Sequence, residues 1–246
     1  MPRTRKLASL SEAFPSVQAL TATLKGEGTL VRAEREKAYL KSDLKFLGVS
    51  VPQVRAHAKA LHKQTPHADR ETVLSFAEAM WATRIHELRS LAINVLALKV
   101  QVLRPEDLKI IETMLRSART WAHVDELATQ VVAPLCDARP AGLRIVARWQ
   151  RDEDFWMRRT ALLALLPALR KGGGDFALFE KWAAPLLEEK EFFIRKAIGW
   201  VLREVSKKRP KLVFVFLQKH RERVSGLTMR EGKKYLPAEW QAKLVA

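Results

Sequence analysis

The chain has 246 residues, a net charge of +17 and a single cysteine. That length, with a 48% hydrophobic share, supports a real core and excludes a small scaffold held by internal disulfides. The cationic surplus favours a polyanionic partner, either nucleic acid or an anionic membrane surface.

The opening MPRTRKLASL is basic but has no apolar run behind it, so it does not read as a secretory signal. Residues 1–14 read more simply as a flexible basic arm for phosphates than as a transit peptide. A helix is expected from Ser16 to Lys25, then a charged one from Leu30 to Leu44 that carries Tyr39 and exits at Gly48. Ser50 and Pro52 start a helix through His62, and Asp69 caps another over Arg70 to Trp81. His86 to Leu103 is apolar throughout, and Pro105 opens Glu106 to Arg116. Trp121 to Cys136, Ala141 to Gln150 and Asp154 to Arg170 follow, the last bent by Pro167.

Gly172 to Gly174 is a flexible loop and not a domain boundary. Asp175 caps a helix to Glu188. Next come Glu191 to Pro210, Lys211 to His220, a short helix from Thr228 to Tyr235, and a turn after Pro237. No run alternates like a strand. The longest apolar run, Ala161 to Leu169, is too short for a bilayer, which needs about 20 residues.

Four of these helices carry the same apolar–charged pair: Leu88-Arg89, Val124-Asp125, Met157-Arg158 and Ile194-Arg195, spaced 36, 33 and 37 residues apart. The best copies are FWMRRTALLALL and FFIRKAIGWVLR. A period near 36 with two helices per unit predicts an all-α fold. Its form is an α-solenoid of HEAT-like helix pairs curved around a concave basic groove, in one domain.

Aligned positions would then display chemistry along that groove. Trp121 and Asp125 are four residues apart and share a helix face. Arg158 and Arg159 occupy the matching stretch of the next repeat, and Arg195, Lys196 and Trp200 that of the last. Gly199 beside Trp200 costs roughly 1 kcal/mol in a helix and invites the close approach of a backbone or ligand. Taken singly, each indole also fits a core, Asp125 a structural ion pair and Arg159 a solvated face. Their joint occurrence at aligned positions favours a site.

Metal chemistry is not expected. His57, His62 and His67 are five residues apart and rotate off a common face, and no HExxH or CxxC occurs. No phosphate-binding glycine loop and no GxSxG is present either, and Cys136 reads as core filler.

The segments FLGV (46–49), RTWAHVD (119–125), FWMRR (155–159), KEFFIRKAIGWVLRE (190–204) and LTMRE (227–231) resemble the AlkD-type DNA glycosylases. These form a DNA alkylation repair family built from HEAT-like repeats, and the similarity runs from about Leu30 to Tyr235. The resemblance implies excision of cationic N3- and N7-alkylated purines from double-stranded DNA without base flipping. No cofactor, metal or membrane is expected. Trp121, Asp125 and Trp200 match the catalytic set, and Arg159 matches an arginine that contacts the DNA backbone. Tyr39 matches an aromatic that contacts DNA near the lesion. Arg230, in the C-terminal basic segment, joins Arg158, Arg195 and Lys196 as expected DNA contacts. A single copy suffices to embrace a duplex, so a monomer is expected, cytoplasmic and nucleoid-associated when bound. A non-catalytic binder of damaged or branched DNA and a protein-binding scaffold are the competing readings.

Overall fold

The computed structural model describes residues 13–137 and 139–244. In chain order the helices are α1 (Val17–Glu27), α2 (Leu30–Leu40), α3 (Val51–Gln64), α4 (Arg70–Ala82), α5 (His86–Leu98), α6 (Leu108–Arg116) and α7 (Trp121–Leu127). A π-helical turn, Ala128–Val132, leads to α8 (Ala133–Asp137). Then come α9 (Pro140–Trp149), α10 (Phe155–Ala164), α11 (Leu166–Arg170), α12 (Phe176–Ala183), α13 (Phe192–Ser206), α14 (Pro210–Lys219), α15 (Gly226–Gly232) and α16 (Ala238–Lys243). The fold is all-α. Among the described residues the only extended pairing is one bridge between Lys45 and Ile85.

The starts are fixed by the expected chemistry. The side chains of Ser16, Ser50, Asp69 and Asp175 each accept a first-turn N–H, and Ser50 forms a reciprocal capping box with Gln53. The ends differ more. The helix expected to reach Leu44 stops at Leu40, where Lys41 turns left-handed (φ 48°). The apolar helix from His86 breaks after Leu98 and continues as a 3₁₀ turn, Val100–Val102. Pro167 splits the stretch after Asp154 into α10 and α11, as expected. Pro134, which lacks an N–H, sits just past the π turn that divides the expected Trp121–Cys136 helix.

The chain packs as two compact units, Met1–Asp107 with Ser117–Glu126, and Leu108–Arg116 with Leu127–Ala246. The Gly172–Gly174 triplet falls inside the second. In the first unit α5 packs against α3 and α4. The expected basic arm lies outside the described residues up to residue 12. Its end does not belong to an arm at all: Phe14 is buried and stacks on Phe76 at 4.3 Å.

In the second unit α13 is the central helix, packed against α10, α11, α14 and α15. Its buried face includes Ile194, Ile198, Val201, Leu202 and Val205, and each such side chain contributes about 1.5–3 kcal/mol on burial. The apolar members of the four aligned pairs, Leu88, Val124, Met157 and Ile194, are all fully buried. The repeat read in the sequence therefore marks equivalent core positions.

Candidate active site

In the first unit, Trp121 opens α7 and Asp125 follows one turn later on the same face, both half-buried. Tyr39, largely exposed on α2, meets the Trp121 ring edge-on, with centroids 5.8 Å apart at 82°. Expected residues are thus brought together here: an indole, a phenol and a carboxylate.

Buried side chains set this helix. His123 is completely buried between Trp121 and Asp125 in sequence. Its ring stacks on His86 at 4.6 Å and 19°, and His86 stacks on Phe46 at 4.7 Å and 20°. Trp81 lies 5.5 Å from His123 and carries the Arg89 guanidinium over its own ring, 4.6 Å from the centroid. His123 Nε2 lies 3.2 Å from the His86 carbonyl, so its proton sits on Nε2. The Nδ1 atoms of both histidines have no partner among the described residues. Burial lowers the His86 pKa to about 4 and holds His123 well below the ordinary value, with the His86 and Arg89 charges adding to the effect. Burial likewise brings Arg89 down to about 10.

Glu87, next to His86, ties down the FLGV loop. Its carboxylate, 1% exposed, accepts the N–H groups of Leu47 and Gly48 at 2.7–3.0 Å and that of Val49 at 3.3 Å. Gly48 is obligatory there. Its φ is +81°, and a Cβ would lie 2.0 Å from the Thr29 carbonyl oxygen at the start of α2. Sequence reasoning missed Glu87, because it looks like an ordinary first-turn acid. It also missed the His86–His123 stack, whose members are far apart in the chain.

Three of the four aligned positions hold arginines that bind loop carbonyls. Arg89 donates to Trp81 O (2.9 Å) and Ser117 O (3.1 Å). Arg158 donates to Asp152 O (2.6 Å) and Glu153 O (2.7 Å) and pairs with Glu189. Arg195 donates to Glu189 O at 2.7 Å. The guanidinium donors of Arg158 and Arg195, expected to face DNA, are thus turned to the protein's own loops. The fourth position holds Asp125, which cannot donate to a carbonyl at all. Glu126 beside it has a raised pKa, chiefly from burial, with Arg55 pulling it back and the Asp125 charge adding to the rise.

In the second unit, Trp200 is half-buried on α13. Lys196, Arg203 and Lys207 lie four before, three after and seven after it, and so share its face. Arg170 stands over the Trp200 ring, 5.7 Å from the centroid. Glu231 on α15 binds both Lys196 (2.6 Å) and Arg203. Burial alone would raise the Glu231 pKa, but the two cations hold it below the usual carboxylate range. Gly199 makes this possible: a Cβ there would sit 2.8 Å from Glu231 Cβ and 3.4 Å from Thr228 Cα. The close approach that Gly199 invites is that of α15. Arg159 is 3% exposed, donates to Phe193 O and lies 5.7 Å from the Phe193 ring. Its burial leaves little of its surface for a phosphate. Arg230 is exposed on α15.

The model of the DNA alkylation repair enzyme family matches residues 20–236. The chain belongs to this family. A role in the repair of alkylation damage, with DNA as the partner, goes with that membership. Among solved structures it is similar to a predicted DNA alkylation repair enzyme from Enterococcus faecalis. That likeness has 28% identity and a TM-score of 0.78, covering 86% of this chain and 98% of the other. AlkD2 from Streptococcus mutans (18% identity, TM-score 0.65, 91% and 100% covered) shares the fold. So does a second protein of that organism, from strain UA159 (19%, 0.60, 87% and 100%). No curated protein matches significantly.

Among the described residues no group of three or more His, Cys, Asp or Glu side chains is placed to hold a metal ion. Cys136 is buried, which pushes its thiol pKa up to about 12, as suits core filler. No helix among the described residues is long and apolar enough to cross a membrane.

Proposed function

We propose that the protein is a monofunctional DNA glycosylase that hydrolyses the N-glycosidic bond of cationic N3- and N7-alkylated purines in duplex DNA. The reading rests on Asp125. It is a half-buried carboxylate one turn from an indole, at the position where three other repeats hold a loop-binding arginine. A side chain that abandons the structural role of its position is a candidate for chemistry.

Alkylation at N3 or N7 makes the purine cationic and a good leaving group. As the C1′–N bond breaks, the base departs neutral and positive charge develops on the sugar. Asp125 stabilises that charge and orients the water that adds to C1′, whose proton passes to the carboxylate or to solvent. The Trp121 and Trp200 faces attract adjacent cationic groups by about 0.5–2 kcal/mol. The lesion stays stacked in this reading, so no flipped-base pocket is required. No lysine nucleophile takes part, so the strand is not nicked. Lys196, Arg203, Lys207 and Arg230 contact phosphates, giving sequence-independent and salt-sensitive binding. Tyr39 lies against the DNA next to Trp121, and Arg159 fixes Phe193 at the start of α13.

The test is release of free base from a duplex containing N7-methylguanine, followed by chromatography. Wild type releases base, and Asp125→Asn loses about 100-fold or more while still binding duplex. Equal release by the two proteins sinks the role of Asp125. Tight binding with no release by wild type sinks the glycosylase and leaves a non-catalytic binder of damaged DNA.

A further inference from the structure

A cavity of ≈ 530 Å³ opens in the second unit beside α12 and α14. Phe176, Leu212, Val215 and Phe216 supply its apolar lining, and Lys208, Arg209 and Lys211 its cations. None of these residues belongs to the candidate active site. Glu180, the one acid in the lining, is already held by Lys219 (2.8 Å) and His220 (3.0 Å).

The chemistry of the lining narrows the occupant. Leu212 and Val215 are 38% and 50% exposed, three residues apart on α14, so an apolar strip stands open to solvent. At its head α14 begins on Pro210, with no side-chain cap and no acid in its first turn. The partial positive charge of that terminus is therefore unanswered. Lys208 and Lys211 are exposed on either side of it, while Arg209 adds charge from below, its Nε and Nη2 buried with no hydrogen-bond partner among the described residues and its Nη1 donating to Gly174 O at 3.4 Å. An apolar strip that ends in concentrated positive charge complements an apolar group that ends in negative charge. The cavity falls in the size range of pockets that enclose small ligands, about 300–1,000 Å³. Nucleic acid is a poorer fit. The Phe176 and Phe216 rings are 8% and 1% exposed and offer no face for a base, and the cations cluster at one helix end instead of tracking a backbone.

We propose that this cavity docks a carboxylate-bearing apolar segment of a partner protein. A bulky apolar side chain seats against Leu212 and Val215. The neighbouring carboxylate, a chain terminus or an acidic side chain, meets Lys208 and Lys211 at the head of α14.

The experiment is fluorescence anisotropy of the full chain with a labelled, aspartate-rich short peptide that ends in phenylalanine with a free carboxylate. Saturable binding is expected. It weakens about tenfold or more in Val215→Lys and in the double variant Lys208→Glu/Lys211→Glu, as for loss of an anchor or of its charge partners. It weakens again when the peptide is amidated. Val215 is half-exposed, and unchanged melting of either variant shows that the fold is intact. Base release by Val215→Lys stays at the wild-type level, which keeps a failure here separate from a failure of the glycosylase reading. Three results overturn the proposal. One is no saturation at millimolar peptide, and another is equal affinity in wild type and both variants. The third is a single-stranded oligonucleotide that binds through Val215 while the peptide does not, which would give the cavity to nucleic acid.

Discussion

Helices α7 and α13 each present an indole with a charged neighbour one turn away, yet they are mounted in opposite ways. Beneath α7 lies a buried stack of rings, Phe46, His86 and His123, and neither imidazole Nδ1 has a hydrogen-bond partner among the described residues. Along α13 the indole lies among cations, and Glu231 and Glu204 pair with several of them. Asp125 thus stands on a helix anchored by buried rings. Trp200 instead sits beside part-buried ion pairs whose cations include the more accessible Lys196 and Lys207. Under the proposed function, the contrast suits α7 to carrying the carboxylate and α13 to contacting phosphates.

The largest effect expected on the α7 side, apart from Asp125→Asn, comes from Glu87→Ala. It strips three buried N–H groups of their acceptor and costs about 3 kcal/mol or more in stability. Chemical denaturation measures it, and a loss below about 1 kcal/mol would show that the FLGV loop does not need this anchor.

Acid comes next. His86 is neutral in the folded state down to about pH 4, whereas the unfolded chain takes up a proton below about 6.5. The stability is therefore full above pH 6.5 and declines as pH falls through that window, by about 3 kcal/mol for this group. His123 adds to the decline in the same direction. Thermal melting between pH 7.5 and 4.5 should show it. His123→Gln should flatten the slope, and an unchanged slope would mean that the stack titrates like exposed imidazole.

On the α13 side, Gly199→Ala forces its methyl against Glu231 and should cost about 1–3 kcal/mol. It should also weaken duplex binding by moving α15. The smallest effect is expected for Lys196→Gln. Duplex affinity should fall a few-fold with the salt slope reduced by about one, and base release at saturating DNA should hold. A larger loss of release than of binding would move Lys196 from affinity to chemistry.

Much of this was legible before any coordinates. Helical periodicity and caps such as Asp69 and Asp175 located the helices, because local side-chain chemistry decides where a helix begins. The spacing of Trp121 and Asp125 placed them on one face, and Gly199 announced a close approach without naming its partner. What stayed hidden depends on residues distant in the chain. Nothing near Glu87 tells that it binds N–H groups about 40 positions earlier. Alignment found Arg158 and Arg195 as equivalent positions, but not that their side chains fold back onto loops. An exposed cation and a loop-binding one read alike in a sequence.

The arginines at the aligned positions carry one more consequence. Ser117 belongs to the stretch that leads into α7, where no arginine at position 125 can clasp the local carbonyls. Arg89 holds the Ser117 carbonyl from the preceding repeat, and the Trp81 indole donates to its hydroxyl at 2.9 Å. The repeat that exchanged its own clasp for an acid thus stands on footing lent by its upstream neighbour. Damage at Trp81 or Arg89 would reach Asp125 without touching it.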